Sequence, residues 1–180
     1  MMYFAETPAM PAATLIYDDW YPAMRSDRLR RHQTATVMLL GIPLLLGRTE
    51  KNELFAMRDS CPHRGIPLSY GSCDASGVTC KYHGWKFEPV TGQRKEIPSL
   101  TPADTLDCTR IYAIAFPCEE RDGYAWVYVP SPGSGRLHPE EIAALPPLPE
   151  PPKFGQRVRY AHLAADLPGN VDHGIIGLMD

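Results

Sequence analysis

Two short stretches hold residue types that could do chemistry together: Cys61-Pro62-His63-Arg64-Gly65 and Cys80-Lys81-Tyr82-His83-Gly84-Trp85. Each supplies one thiol and one imidazole. A cluster of two irons and two sulfides with mixed ligation needs two soft thiolates on one iron and two imidazoles on the other, and a Cys and a His in each of two facing loops meet that need. On this reading Cys61 and Cys80 hold one iron, and His63 and His83 the other. Neutral imidazoles in place of thiolates reduce the negative charge on such a cluster, so it accepts an electron more easily than an all-Cys one. Gly65 and Gly84 let the backbone turn tightly, so that amide N–H groups can point at bridging sulfides. The blander alternatives are an inert buried Cys, an ordinary His, or a structural zinc on all four. Zinc spacings pair Cys with Cys and His with His, or use mostly Cys. Here each loop is mixed, one C-x-H and one C-x-x-H, with sixteen residues between His63 and Cys80. The mixture favours the iron–sulfide reading and leaves zinc as its competitor.

The elements that must position these loops are short. The 180 residues suffice for one ordinary domain, or a small domain plus part of another. Nineteen prolines disfavour a long-helix fold, because Pro is excluded from helix interiors and central strands. Residues 1–35 show no sustained helical period and read as an N-terminal arm with one short helix. From 36 to 130, β-prone runs at 36–40, 43–47, 54–58, 78–81, 85–87, 110–116 and 125–129 alternate with turn signals such as Glu50-Lys51-Asn52, Thr91-Gly92 and Asp122-Gly123. That pattern predicts a mainly β fold, a small antiparallel β domain. Residues 131–152 read as a Pro-rich linker with a helical turn or two over 139–145, the Pro standing at a first helical position. Residues 153–180 start like a strand and end like an unfinished helix.

Composition narrows the class further. Lys+Arg number 18 against Asp+Glu 21, a formal charge of -3, which lacks the basic excess of a nucleic-acid binder. The longest apolar run, 37–46, is interrupted by Gly41 and Pro43, and the N-terminus lacks a signal peptide's basic start and apolar block. The expectation is a soluble, cytoplasmic protein. Five cysteines, an odd number, make a complete disulfide framework improbable. Cys73, Cys108 and Cys118 fit no ligand spacing and are expected to be buried or incidental.

Cys61-Pro62-His63-Arg64-Gly65, Pro67-Leu68-Ser69, Gly71, Cys80-Lys81-Tyr82-His83-Gly84-Trp85-Lys86-Phe87 and Thr91-Gly92 resemble the N-terminal domain of Rieske non-heme iron oxygenases. The resemblance extends to Trp20-Tyr21-Pro22 and to Asp122-Gly123-Tyr124-Ala125-Trp126-Val127. It implies a Rieske β-sandwich at 36–130, a 2Fe-2S cluster on Cys61, His63, Cys80 and His83, and Arg64, Gly65, Tyr82, Gly84 and Trp85 around it. It also implies that 153–180 begin an α+β catalytic domain. Rieske proteins of respiratory complexes resemble C-T-H-x-G-C and C-P-C-H-G-S instead, with an extra Cys in each loop and a Ser that bonds a sulfide. Tyr82 and Trp85 stand where that second Cys and that Ser would be. Fewer hydrogen bonds to the cluster imply a potential at the low end of the Rieske range, roughly -150 mV.

In the family the catalytic domain carries a mononuclear iron on two His and one carboxylate. Gly177-Leu178-Met179-Asp180 looks like the approach to that site, with Asp180 as the hydrogen-bonding relay between imidazoles of neighbouring subunits. The alternative alignment through Asn170, Asp172 and His173 places the His directly after the Asp and has no second His beyond it, so His173 is read as structural. The chain as given does not include the mononuclear iron ligands and is expected to be inactive alone. The function implied is the electron-input portion of an oxygenase that hydroxylates or demethylates an aromatic or similar organic substrate with O2. Its electrons would come from a NAD(P)H-dependent reductase or a ferredoxin, and full-length members are commonly homotrimers. No nucleic-acid or membrane partner is implied. The rival from another class is a stand-alone Rieske-type ferredoxin; such carriers usually lack the Trp20-Tyr21-Pro22 arm and a long segment after Val129.

Overall fold

A computed structural model describes residues 15–150 apart from 102 and 106. The expected sequence features at 153–180, including Asp180 and His173, lie outside the described residues. The described residues up to Leu148 belong to one compact unit.

The described residues form three antiparallel sheets and one short helix, as the β-rich pattern predicts. In chain order the strands are β1 (Asp19–Arg25), β2 (Thr34–Leu39), β3 (Ile42–Arg48), β4 (Leu54–Arg58), β5 (Ser72–Asp74), β6 (Gly77–Thr79), β7 (Lys86–Phe87), β8 (Arg94–Glu96), β9 (Ala115–Phe116), β10 (Cys118–Arg121) and β11 (Tyr124–Val129), followed by α1 (Pro139–Ala143). They assemble in the orders β1-β11-β10, β2-β3-β4-β9 and β5-β6-β7-β8. Among the described residues no helix is long and apolar enough to cross a membrane.

The sheet β2-β3-β4-β9 lies between two apolar layers, and the alternation of strand side chains explains how. On β3, Leu45 joins one core with Phe55, Met57, Leu68, Val78 and Phe87, while its neighbours Leu44 and Leu46 join another with Ala56, Ala125, Val127 and Val129. Successive residues point to opposite faces, so a strand buried on both sides must be apolar throughout; Pro43-Leu44-Leu45-Leu46-Gly47 is such a run. Each fully buried leucine contributes about 1.5–3 kcal/mol.

Four strands have no counterpart in the sequence expectation. β1 holds Pro22, which argues against a strand, yet β1 is an edge of its sheet and its register on β11 shifts between Pro22 and Met24. An edge with a bulge is where a sheet tolerates proline. The short helix expected in this region is a 3-10 turn, Ser26–Arg28. β5, β8 and β10 are three or four residues long and partly charged, which hides them from a hydrophobic pattern. The run expected at 110–116 is divided: only Ala115–Phe116 pairs with β4, while Tyr112 bridges to Gln93 and Ala113 N–H donates to Gly92 O at 2.8 Å. One stretch thus serves two sheets and cannot be a single strand.

The segment after β11 packs on the β1-β11-β10 sheet. Leu145, Leu137 and Leu148 cover Trp20, Trp126 and Tyr128, and the Trp20 indole N–H donates to Pro146 O at 2.7 Å. Pro139 is the first residue of α1, as expected, and Glu141 accepts from the His138 N–H.

A charged brace closes the middle sheet. Arg48, its side chain 9 % exposed, donates from Nε to Leu29 O at 2.8 Å, from Nη1 to Asn52 O at 3.1 Å and from Nη2 to Glu120 Oε2 at 2.8 Å and to Ser26 O at 3.5 Å. Arg48→Ala strips four carbonyl or carboxylate acceptors of a charged donor, and we expect a loss of about 2–4 kcal/mol in denaturant unfolding. The Ser26 hydroxyl and the Arg48 guanidinium hold Glu120 below its ordinary value of 4.5. A depressed carboxylate stabilises the fold above the ordinary value and loses that contribution as pH falls through the folded one. Thermal stability should therefore drop on acidification below about pH 4.5, and Glu120→Gln should flatten part of that drop.

Candidate functional site

The two loops hang from one core. Loop one follows β4; loop two, residues 80–85, is the hairpin connection between β6 and β7, which pair Val78 with Phe87 and Thr79 with Lys86. Cys61 and Cys80, 2 % and 3 % exposed, are themselves members of the core that contains Leu45, Phe55 and Phe87.

Both loops fold to the same hydrogen-bond pattern. Cys61 N–H donates to Ile66 O at 2.8 Å and Cys61 O accepts from Gly65 N–H at 2.8 Å; Cys80 N–H donates to Trp85 O at 2.8 Å and Cys80 O accepts from Gly84 N–H at 3.0 Å. Gly65 and Gly84 both have φ of 71°, the left-handed conformation that glycine adopts without strain. Each loop is thus a tight turn from Cys to a Gly four residues on, with its His at the second position in one and the third in the other. A Cβ at residue 84 would also lie 3.1 Å from Pro98 Cγ.

The four candidate ligands fall into two like pairs. Cys61 and Cys80 sit in one buried cluster, close enough for each thiol to influence the other. The His63 and His83 Nδ1 atoms are 3.0 Å apart. Burial pushes the Cys61 thiol up to about 11; the backbone N–H groups of His63 and Arg64 oppose this, while Cys80 adds to it. Desolvation, His83 and Arg64 lower the His63 value, which favours the neutral imidazole, the form that ligates. Among the described residues no three or more His, Cys, Asp or Glu converge as a single-ion site. Two pairs of like donors suit a binuclear cluster, which takes two thiolates on one iron and two imidazoles on the other, better than one tetrahedral ion.

Aromatic rings flank the imidazoles. The Trp85 indole stacks on His63 with centroids 4.4 Å apart and planes 1° apart, and Tyr82, 58 % exposed, lies 3.9 Å from His83 at 31°. Arg64 and Lys81 are exposed at the loop tips. Sequence reasoning missed Asp59, which accepts from Ser69 N–H and Ser69 Oγ, both at 2.7 Å, and so closes the base of loop one. An Asp two residues before the Cys and a Ser eight after it are the only signal of this brace in the sequence.

The remaining cysteines take no part in the site. All five are free thiols; Cys108 is buried and Cys73 half-buried, and burial pushes the Cys118 thiol up to about 12. A cavity of about 370 Å³ bordered by Trp20, Phe116, Leu137, Leu145 and Arg136 contains none of the four candidate ligands.

Comparison with known proteins agrees with this geometry. The family model for the Rieske [2Fe-2S] domain matches residues 19–113, more than half of the chain. Chlorophyllide a oxygenase, chloroplastic, of Chlamydomonas reinhardtii is 38% identical over 157 residues, which are 87% of this chain and 22% of that protein. Among solved structures, apo dicamba monooxygenase superposes with a TM-score of 0.59 at 31% identity, over 67% of this chain and 36% of that one. The reduced complex between oxygenase and ferredoxin in carbazole 1,9a-dioxygenase gives a TM-score of 0.57 at 30% identity, over 64% of this chain and 29% of that one. The chain thus spans between about a fifth and about a third of the length of these relatives. With its two Cys-and-His loops on stacked antiparallel sheets, the chain belongs to the Rieske [2Fe-2S] domain family, in the form found in oxygenases.

Proposed function

We propose that Cys61 and Cys80 bind one iron and His63 and His83 the other iron of a Rieske cluster, and that this chain is the electron-input portion of a Rieske oxygenase. The observation that carries this reading is the approach of the His63 and His83 Nδ1 atoms to 3.0 Å, from two loops that also bring the Cys61 and Cys80 thiols together. When bound, the cluster supplies a one-electron carrier. The chain's own residues do the rest. The core around Leu45 and Phe87 keeps water from the thiols, and the N–H groups of His63 and Arg64 stabilise negative charge on Cys61. His83 is exposed and His63 half-exposed, so the imidazoles offer the edge at which a partner can approach.

The wider role follows from kinship. The relatives are oxygenases, and one structural neighbour is a complex of oxygenase with ferredoxin. For this chain the proposed donor is a ferredoxin or a NAD(P)H-dependent reductase, and the proposed destination a mononuclear iron that serves hydroxylation or demethylation of an aromatic or similar organic substrate. Asp180, outside the described residues, is proposed as the hydrogen-bonding relay towards it. The segment packed on Trp20 after β11 supports an oxygenase over a free-standing carrier, which has no use for it.

Purified protein is expected to be red-brown, with two irons and two sulfides per chain and a rhombic EPR signal on dithionite reduction. Cys61→Ser and His83→Ala should each abolish that signal. A colourless protein with stoichiometric zinc, unchanged by iron and sulfide reconstitution, would refute the assignment. Neither loop offers a Ser or second Cys to the cluster, so the midpoint in potentiometric titration should be low, roughly -150 mV, and a clearly positive value would count against it.

A further inference from the structure

Trp85 makes two contacts that reach different ligands. Its carbonyl oxygen accepts from Cys80 N–H at 2.8 Å, which fixes the thiol of its own loop. Its indole lies parallel to the His63 ring, 4.4 Å away and 1° off, on the other loop. The indole is also packed against the core of Leu45, Phe55 and Phe87, so it is not a free surface ring. The other contacts of His63 are weaker: its ring is tilted by 48° to that of His83, 4.8 Å away, and Pro62, Arg64 and Gly65 beside it are exposed. His83 differs, since its own stacking partner Tyr82 is a sequence neighbour, tilted by 31° and 58 % exposed. The two imidazoles are therefore held unequally.

We propose that Trp85 is a positioning residue that registers a thiolate ligand of one loop with an imidazole ligand of the other, and that it thereby sets the properties of the cluster. This rests on the assignment of Cys61, His63, Cys80 and His83 as ligands. The physical case has two parts. A face-to-face aromatic pair adds to the free energy of holding a ring in one orientation, beyond the area it buries. The indole also covers one face of His63, and solvent exposure is among the factors that set the potential of such a cluster. Reduction adds negative charge, which water stabilises, so uncovering that face raises the midpoint.

The test uses the full chain carrying iron and sulfide, with Trp85→Met and Trp85→Phe. Met fills irregular core space without a ring, and Phe keeps a smaller ring. In Trp85→Met we expect a higher midpoint potential, altered g values in the reduced EPR spectrum, and iron release to a chelator about two- to tenfold faster, the range an aromatic pair contributes. Trp85→Phe should fall between Met and the parent in all three. Leu137→Ala loosens the apolar cluster around Trp20, which contains none of the four ligands, and should leave the g values unchanged. A Trp85→Met protein with the parent's potential and g values overturns the proposal, as does a Phe variant indistinguishable from Met. If Trp85→Met does not fold, Trp85→Phe decides: an upward shift supports the proposal and none overturns it. A parent protein that holds no cluster refutes the ligand assignment itself, and this inference with it; a parent with a normal cluster and insensitive Trp85 variants refutes only the inference.

Discussion

Cys61 and Cys80 are core residues as well as candidate ligands, and this shared burial is the constraint on which the rest of the site depends. Nothing covalent joins the two loops; the five cysteines are all free thiols. What brings the loops together is that both enter one apolar layer, formed by Leu45 from β3, Phe55 and Met57 from β4, Val78 from β6 and Phe87 from β7. That layer exists because β3 and β4 are apolar on both faces, so a single sheet anchors the loop-bearing strands on one side and the β1-β11-β10 sheet on the other. A buried thiol costs little while it stays neutral, and burial pushes the Cys61 thiol up to about 11, towards its neutral form. A bound cation reverses that balance, because coordination deprotonates a thiol outright.

Polar groups close the structure where apolar burial cannot. Arg48 ties β3 to Ser26 of the 3-10 turn, to Leu29 just after it, to Asn52 and to Glu120 of β10, and Asp59 ties the base of loop one to Ser69. Both act on chain segments that run outside the ladders, where backbone groups would otherwise be unpaired. The Trp20 indole N–H plays the same part for the segment after β11, since a buried indole requires an acceptor and Pro146 O provides it.

What could be read in advance depended on whether the signal was local. The four candidate ligands were legible because their types and spacing are themselves the chemistry, and Gly65 and Gly84 because a tight turn demands that residue; their common φ of 71° agrees. The strands from 34 to 58 were legible from their apolar runs. β1 was not, because the edge position and bulge that admit Pro22 are properties of the sheet and not of the segment. The division of 110–116 between two sheets was hidden for the same reason. Asp59 was missed as a brace because Ser69 comes to it only when loop one closes. Trp85 was legible as a neighbour of the site but not as the partner of His63, since nothing local in sequence links residue 85 to residue 63. What the sequence hid, in each case, was a contact made between distant elements.

The site also has a polarity that the pairing of loops alone does not explain. The thiols lie inside the core and the imidazoles at its rim, with His83 exposed. Burial at the thiol end disfavours added negative charge, whereas neutral imidazoles and solvent at the other end favour it. The two tendencies oppose each other within one site, and the covered face of His63 is where they meet. The exposed Arg64 and Lys81 stand on the same loops, so positive charge is at hand without entering the core. A charge at the loop tips in water is screened, and so acts more on the approach of a partner than on the buried thiols. Interior burial thus governs how readily the site holds charge, while the rim governs what can reach it.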